Sequence, residues 1–141
     1  MAILTERDRK DIQAQLQTLQ GPVKLVNFTQ ELACQYCRET EQLLREVQEL
    51  SDKISLEVYN FQLDKAKVSQ YRVDKIPATV VEGTKDYGIR FYGIPLGYEF
   101  VPFLEAMKDV SAGTTGLSPE TRTALAEIDQ PTHLQVFTTP T

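Results

Sequence analysis

Both cysteines of this 141-residue chain lie in one short motif, Cys34-Gln35-Tyr36-Cys37. Two thiols at this spacing can close a small disulfide ring or supply half of the ligands of a metal site. An apolar, β-branched run at residues 23–28 precedes the motif, and a helical pattern at residues 38–50 follows it. A Cys-x-x-Cys pair between a strand and a helix is typical of a thiol–disulfide redox centre, so redox chemistry is the leading interpretation.

The two sulfurs are expected to have different roles. A cysteine at a helix start lies beside unpaired backbone N–H groups and the positive end of the helix dipole, which favours the thiolate. We therefore predict that Cys34 is the attacking nucleophile and that Cys37, one turn later and shielded, resolves the mixed disulfide. Tyr36 either contacts the substrate or shields Cys37. The redox-active disulfide itself would serve in place of a cofactor.

Two other uses of the pair stay open. A zinc site needs two further ligands, and the only histidine is the distant His133. A purely structural disulfide would stabilise the fold little, because so small a loop hardly restricts the unfolded chain. Both alternatives are weaker than redox use.

No proton acceptor for Cys37 is evident from the sequence. Glu31, Glu39 and Glu41 are near the pair, but each is most simply a surface carboxylate. Asn27 lies inside the preceding strand and cannot titrate.

The elements that must position the pair follow a recognisable order. We predict strands at residues 23–28, 54–59, 78–82 and 89–92, with helices before, between and after them. A helix connects the first two strands, so they should be parallel, and a short loop connects the last two, which should be antiparallel. This order predicts an α/β, thioredoxin-like fold with a central mixed four-stranded sheet flanked by helices.

Ile76 and Pro77 stand just before the third strand. A proline at a strand start needs no further explanation, but in this topology the loop faces the cysteine pair. A cis peptide would place the backbone of Ile76 beside the sulfurs, where an extended substrate could pair with it. We therefore predict Tyr36, Ile76 and Pro77 as substrate-binding residues.

The C-terminal part is predicted to be an extension. We expect a redox domain at residues 1–111 and, at residues 112–141, a connector helix followed by a strand at 134–138. This helix, proline break and apolar strand repeat the opening pattern of the chain, which indicates the first strand of an absent second unit. An unpaired apolar strand also predicts a homodimer formed through the extension.

Three motifs together carry a family resemblance. They are Cys34-Gln35-Tyr36-Cys37, Lys75-Ile76-Pro77-Ala78-Thr79 and Gly88-Ile89-Arg90-Phe91-Tyr92-Gly93-Ile94-Pro95. They resemble the first unit of the glutaredoxin-like protein disulfide oxidoreductases, which carry two thioredoxin folds in tandem. The tandem thioredoxin-fold domain of the alkyl hydroperoxide reductase flavoprotein is similar too.

The resemblance implies a function and partners. It implies disulfide exchange with protein disulfide or dithiol substrates, with Pro77 as a cis proline and a thioredoxin reductase-like flavoprotein as reductant. One alternative is an electron relay between a flavoprotein reductase and a peroxiredoxin. Another is a non-catalytic scaffold unit of a tandem redox protein.

Charge and hydropathy exclude other classes of partner. The net charge is −5 and no basic cluster occurs, which argues against nucleic-acid and anionic-membrane surfaces. The N-terminus turns polar after four residues, so we expect neither a secretory signal nor a membrane span. We therefore expect a cytoplasmic protein. In that compartment a Cys-x-x-Cys pair is more often reactive than structural.

Overall fold

A mixed four-stranded sheet forms the centre of the fold in the computed structural model, which describes residues 1–139. The strands lie in the order β2-β1-β3-β4, with β1 parallel to β2 and antiparallel to β3, and β3 antiparallel to β4. Their bounds are β1 Val23–Thr29, β2 Ile54–Asn60, β3 Ala78–Glu82 and β4 Arg90–Tyr92. The predicted thioredoxin-like topology is therefore confirmed.

Helices precede, connect and follow these strands. The first begins after Thr5, which forms a reciprocal capping box with Asp8 in which each side chain accepts a hydrogen bond from the other's N–H. None of the helices in residues 1–139 is long and apolar enough to cross a membrane. The bounds are α1 Glu6–Leu16, α2 Cys37–Gln48, α3 Lys65–Tyr71, α4 Phe100–Ala112 and α5 Pro119–Ala126, with a 3₁₀ turn at Gly97–Glu99.

The central strand β1 is buried on both faces. Leu25 belongs to a large apolar cluster with residues of α1, α2 and α4, whereas Val26 belongs to a smaller cluster with residues of α3 and β3. Successive side chains of a strand point to opposite faces, so the alternation assigns one cluster to each face. Leu43, Leu44 and Val47 hold α2, and with it Cys37, against the larger cluster.

The C-terminal segment differs from the prediction. Helix α5 forms, with Ser118 as its N-cap, but Leu125 within it and Ile128 just after it are about half exposed. Residues 131–139 form neither helix nor strand, so the strand predicted at 134–138 is wrong for this structure. A strand needs hydrogen bonds to a neighbouring strand, and residues 134–138 pair with no strand of the described sheet.

The apolar side chains of that segment are consequently in solvent. Leu134, Val136 and Phe137 are between 85% and 89% exposed. Residues 140 and 141, which end the predicted connector, lie outside the described residues.

Candidate active site

Cys34 and Cys37 form a disulfide, with their Cα atoms 5.6 Å apart. Cys37 is the first residue of α2 and is only 2% exposed, whereas Cys34 lies in the preceding turn and is half-buried. An incoming group therefore reaches the sulfur of Cys34 more easily than that of Cys37. This asymmetry is what the predicted roles of nucleophile and resolving thiol require.

Helix α2 begins at Cys37, one residue before the helical pattern predicted at residues 38–50. Tyr36 is its N-cap residue and has a positive φ of 68°, a backbone conformation that side chains other than glycine, asparagine and aspartate seldom adopt. The backbone N–H groups of Cys37, Arg38 and Glu39 donate no hydrogen bond to another residue of the described chain. Because the sulfur of Cys34 is bonded to that of Cys37, it lies at this donor-rich end of the helix, where a thiolate is stabilised.

A cleft of about 710 Å³ opens beside the disulfide. Both cysteines form part of its wall, and the ends of β1 and β2 form the rest together with the first turns of α2. Three carboxylates and one guanidinium bring charge into it, and of the carboxylates Glu41 is ion-paired with Arg45 at 2.6 Å. The lining residues are Thr29, Gln30, Glu31, Cys34, Cys37, Arg38, Glu41, Val58, Asn60 and Asp64.

The Ile76–Pro77 peptide bond is cis, as predicted. Pro77 is buried, and its carbonyl oxygen accepts a 2.9 Å hydrogen bond from the N–H of Gly93. Ala78 pairs with Phe28 in the β1–β3 register, so Ile76 and Pro77 continue alongside the loop that leads from β1 to the cysteines. Within residues 1–139, the N–H and C=O of Ile76 take part in no hydrogen bond.

Asn27 and Thr79 are polar residues that sequence reasoning did not assign to the site. They face each other across β1 and β3, and both are fully buried. The Asn27 amide donates a 3.1 Å hydrogen bond to the carbonyl oxygen of Ala78, but Asn27 Oδ1 and Thr79 Oγ1 have no hydrogen-bond partner among residues 1–139. The signal in the sequence was a polar side chain inside an apolar strand.

The other sequence candidates are dispersed. Glu31 and Glu39 are exposed around the start of α2, and Tyr36 is half-exposed between the cysteines. His133 lies in the irregular segment 131–139, where it is exposed. Across residues 1–139, no group of three or more His, Cys, Asp or Glu side chains is arranged to hold a metal ion.

Comparison with known proteins gives concordant matches. A sequence model of the thioredoxin domain matches residues 23–105. A protein disulfide oxidoreductase from Aeropyrum pernix k1 is structurally similar, with a TM-score of 0.80 and 26% identity, covering 90% of this chain and 56% of that one. The NTD_N/C domain of alkylhydroperoxide reductase AhpF from Enterococcus faecalis gives a TM-score of 0.75 and 25% identity, covering 85% of this chain and 58% of that one.

The chain thus spans little more than half the length of these two structures. A search of curated protein sequences found no match.

Proposed function

This chain belongs to the thioredoxin-domain family and carries the Cys-x-x-Cys disulfide of a thiol–disulfide oxidoreductase, and on that premise we propose that it exchanges disulfides with protein substrates through Cys34 and Cys37. The observation that carries the proposal is the unequal exposure of the two bonded sulfurs at the start of α2. A reagent that approaches from solvent reaches Cys34, while Cys37 stays positioned to displace it.

The reaction balances as two successive exchanges. The Cys34 thiolate attacks one sulfur of the substrate disulfide, the substrate S–S bond breaks, and the other substrate sulfur leaves as a thiolate that takes up a proton. Cys37 then loses its proton and attacks the sulfur of Cys34, which expels the second substrate thiolate. The substrate gains two electrons and two protons, and the Cys34–Cys37 disulfide is formed. The same steps in reverse oxidise a substrate dithiol.

The backbone beside the cis proline supports binding of an extended substrate. The unpaired N–H and C=O of Ile76 offer one residue of strand-like pairing next to Pro77. The half-exposed ring of Tyr36 offers an apolar contact between the two cysteines. We assign these three residues to substrate binding.

A reduction assay tests this proposal. The probe is a synthetic peptide with one internal disulfide, and dithiothreitol recycles the protein. We expect Cys34→Ser to reduce turnover to the uncatalysed rate, because serine cannot form a disulfide. The control Thr123→Ser, on the exposed helix α5, should keep the wild-type rate. Wild-type turnover by Cys34→Ser would show that the assignment is wrong.

An electron relay is a second candidate, and the likeness to an alkylhydroperoxide reductase domain favours it. In this role the Cys34–Cys37 pair would take electrons from a thioredoxin reductase-like flavoprotein and pass them to a peroxiredoxin. The test is pyridine-nucleotide consumption with both purified proteins and hydrogen peroxide, which is the final electron acceptor. We propose that the relay operates in the cytoplasm. No consumption above that of the two proteins without this chain would remove the candidate.

The exposed apolar side chains of residues 134–138 are the basis of a third proposal, a homodimer or a scaffold unit. A scaffold role predicts that reduced Cys34 is inert to iodoacetamide at neutral pH, whereas the redox role predicts fast alkylation. Analytical ultracentrifugation with and without Phe137→Ser tests the dimer. A monomer at every concentration would contradict it.

A further inference from the structure

We propose that a groove between α1 and the start of α4 binds an amphipathic helix of the partner protein, with apolar side chains on its inner face and lysine or arginine along one flank. The groove is a second contact that holds the partner while its disulfide reacts with Cys34. This role rests on the proposed exchange function, whereas binding of the helix does not. The lining residues that matter are Asp8, Asp11 and Ile12 of α1 and Phe100, Val101 and Leu104 of α4.

The groove is an apolar recess of about 410 Å³ that is open to solvent. Ile12 and Leu104 line it and are also buried members of the large apolar cluster, so its floor is continuous with the core. Val101, one turn before Leu104, is 64% exposed, and Tyr98 in the adjoining 3₁₀ turn is 80% exposed. Contiguous apolar surface of this kind, outside the core, is typical of a protein-binding site.

The shape of the groove favours a helix as its occupant. Both long walls are helix faces, because α1 lines it with residues 8 to 15 and α4 with residues 100 to 104, at intervals of three or four positions. An extended chain would find no strand edge there to pair with its backbone, whereas a helix satisfies its own N–H and C=O groups. From residue 8 to residue 15 the α1 wall rises about 10 Å, which accommodates about two turns of a docked helix.

The charge of the groove favours a basic flank on that helix. Asp8 and Asp11 lie on the α1 wall, and none of the described residues that line the groove is basic. The nearest cation to Asp11 is Arg7 at 4.0 Å, but both side chains of that pair are largely exposed and contribute little to each other. A lysine or arginine beside α1 therefore meets two carboxylates, and the net charge of −5 adds a longer-range attraction.

The groove lies close to the proposed substrate site. The N–H of Gly93 donates a 2.9 Å hydrogen bond to the carbonyl oxygen of Pro77, and Gly97 lines the groove. Four peptide units join Gly93 to Gly97, so their Cα atoms are at most about 15 Å apart. One partner protein can therefore place a helix in the groove and a disulfide at Cys34. Binding of the helix raises the effective concentration of that disulfide.

Fluorescence polarisation with the full-length protein tests binding of the helix. The probe is a labelled synthetic helix without cysteine that carries leucine on one face and lysine along the flank, and a second probe has glutamate in place of lysine. We expect wild type to bind the lysine probe at least about tenfold more tightly at low salt, with a smaller difference at high salt. Val101→Asn should weaken the lysine probe at least about fivefold, because it places an amide in the apolar contact.

A charge reversal identifies the acidic wall. Asp11→Lys should weaken the lysine probe and strengthen the glutamate probe, each about threefold. The matched control is Glu127→Lys, which makes the same change of charge at an exposed residue outside the groove. It should leave the ratio of the two affinities unchanged.

The peptide-reduction assay tests the link to the disulfide site. The substrates are the disulfide peptide alone and the same peptide joined to the lysine helix by a flexible linker. We expect the helix to lower KM about tenfold in wild type with little change in kcat, since it adds binding but no chemistry. In Val101→Asn the two substrates should have nearly equal KM values.

Each contrary result overturns a named part. Equal affinity of wild type for the two probes overturns the proposal without relying on any variant. Unchanged binding by Val101→Asn, or equal effects of Asp11→Lys and Glu127→Lys, overturns the location in the groove. A wild-type dimer in sedimentation that Val101→Asn dissociates assigns the groove to a second copy instead. Helix binding with no KM advantage overturns the role as a second contact, and helix binding by a protein that exchanges no disulfide overturns the proposed function alone.

Discussion

The hydroxyl of Thr40 donates a 2.6 Å hydrogen bond to the carbonyl oxygen of Tyr36, and the N–H of Thr40 donates to the same oxygen at 2.9 Å. Tyr36 has a positive φ between the two cysteines, and Thr40 is fully buried one turn into α2. The two bonds hold the Cys-x-x-Cys turn against the helix that follows it. Thr40 thereby fixes the turn that carries the disulfide.

Removing that hydroxyl should loosen the turn. We expect Thr40→Val, which keeps the side-chain shape, to lower the free energy of unfolding by about 1 kcal/mol and to slow peptide reduction several-fold. Urea unfolding and the reduction assay measure the two effects, with Thr40→Ser as the matched control that keeps the donor. Equal stability and turnover in wild type and Thr40→Val would contradict the positioning role.

The environment of the Glu46 carboxylate predicts that the stability of the fold depends on pH. It is buried, and its carboxylate accepts hydrogen bonds from the N–H groups of Ile3 at 2.8 Å and Leu4 at 2.9 Å. Burial alone would raise the pKa of Glu46, but these two bonds, with smaller contributions from Gln42 and Arg9, hold the pKa below its ordinary value of 4.5. Glu46 therefore contributes stability above pH 4.5, and this is lost as the pH falls through the folded-state pKa.

The variant Glu46→Gln isolates that contribution. We expect it to be less stable than wild type by about 1–2 kcal/mol at pH 7, and the difference to shrink below pH 4.5 as the wild-type carboxyl is protonated. Urea unfolding at pH 7 and pH 3.5 measures both differences. A stability gap that is the same at the two pH values would show that the charge of Glu46 does not matter.

Some of these features were predictable from the sequence and some were not. The order of helices and strands along the chain and the capping box at Thr5 follow from local patterns, whereas the cis bond at Pro77 was implied by the family resemblance. Two features were not predicted because they join residues far apart in the sequence. Glu46 binds a segment more than forty residues away, and the Asn27–Thr79 pair depends on a strand register. No local pattern specifies such long-range pairs.

The start of α2 and the absence of the strand predicted at 134–138 have different causes. Helix α2 begins at Cys37 because Tyr36 adopts a positive φ, which its residue type does not favour. The segment 134–138 has the pattern of a buried strand, but a pattern cannot supply the neighbouring strand that it needs. The hydrophobic pattern therefore predicts which secondary structure a segment favours. Whether a strand forms depends on a neighbouring strand that can pair with it.

The packing around Gly83 predicts that a side chain added there destabilises the fold. A Cβ atom added there would lie 2.3 Å from the carbonyl oxygen of Val110, which belongs to the backbone of α4. We expect Gly83→Ala to lower the free energy of unfolding by about 1–3 kcal/mol, because either β3's end or α4 must move. Gly116→Ala is the matched control, since no atom of the described residues lies within 4 Å of a Cβ added at Gly116. If thermal unfolding shows the same stability for Gly83→Ala and Gly116→Ala, the predicted clash with α4 is contradicted.

Trapping a covalent intermediate tests the central claim most directly. Reduced Cys37→Ser protein, which lacks the resolving thiol, is mixed with the disulfide peptide and analysed by intact-mass and peptide-mapping mass spectrometry. We expect a stable adduct of one peptide on Cys34 that dithiothreitol releases, and no adduct on the Cys34→Ser protein. A Cys37→Ser protein that stays free of peptide while the wild type turns the peptide over would contradict it.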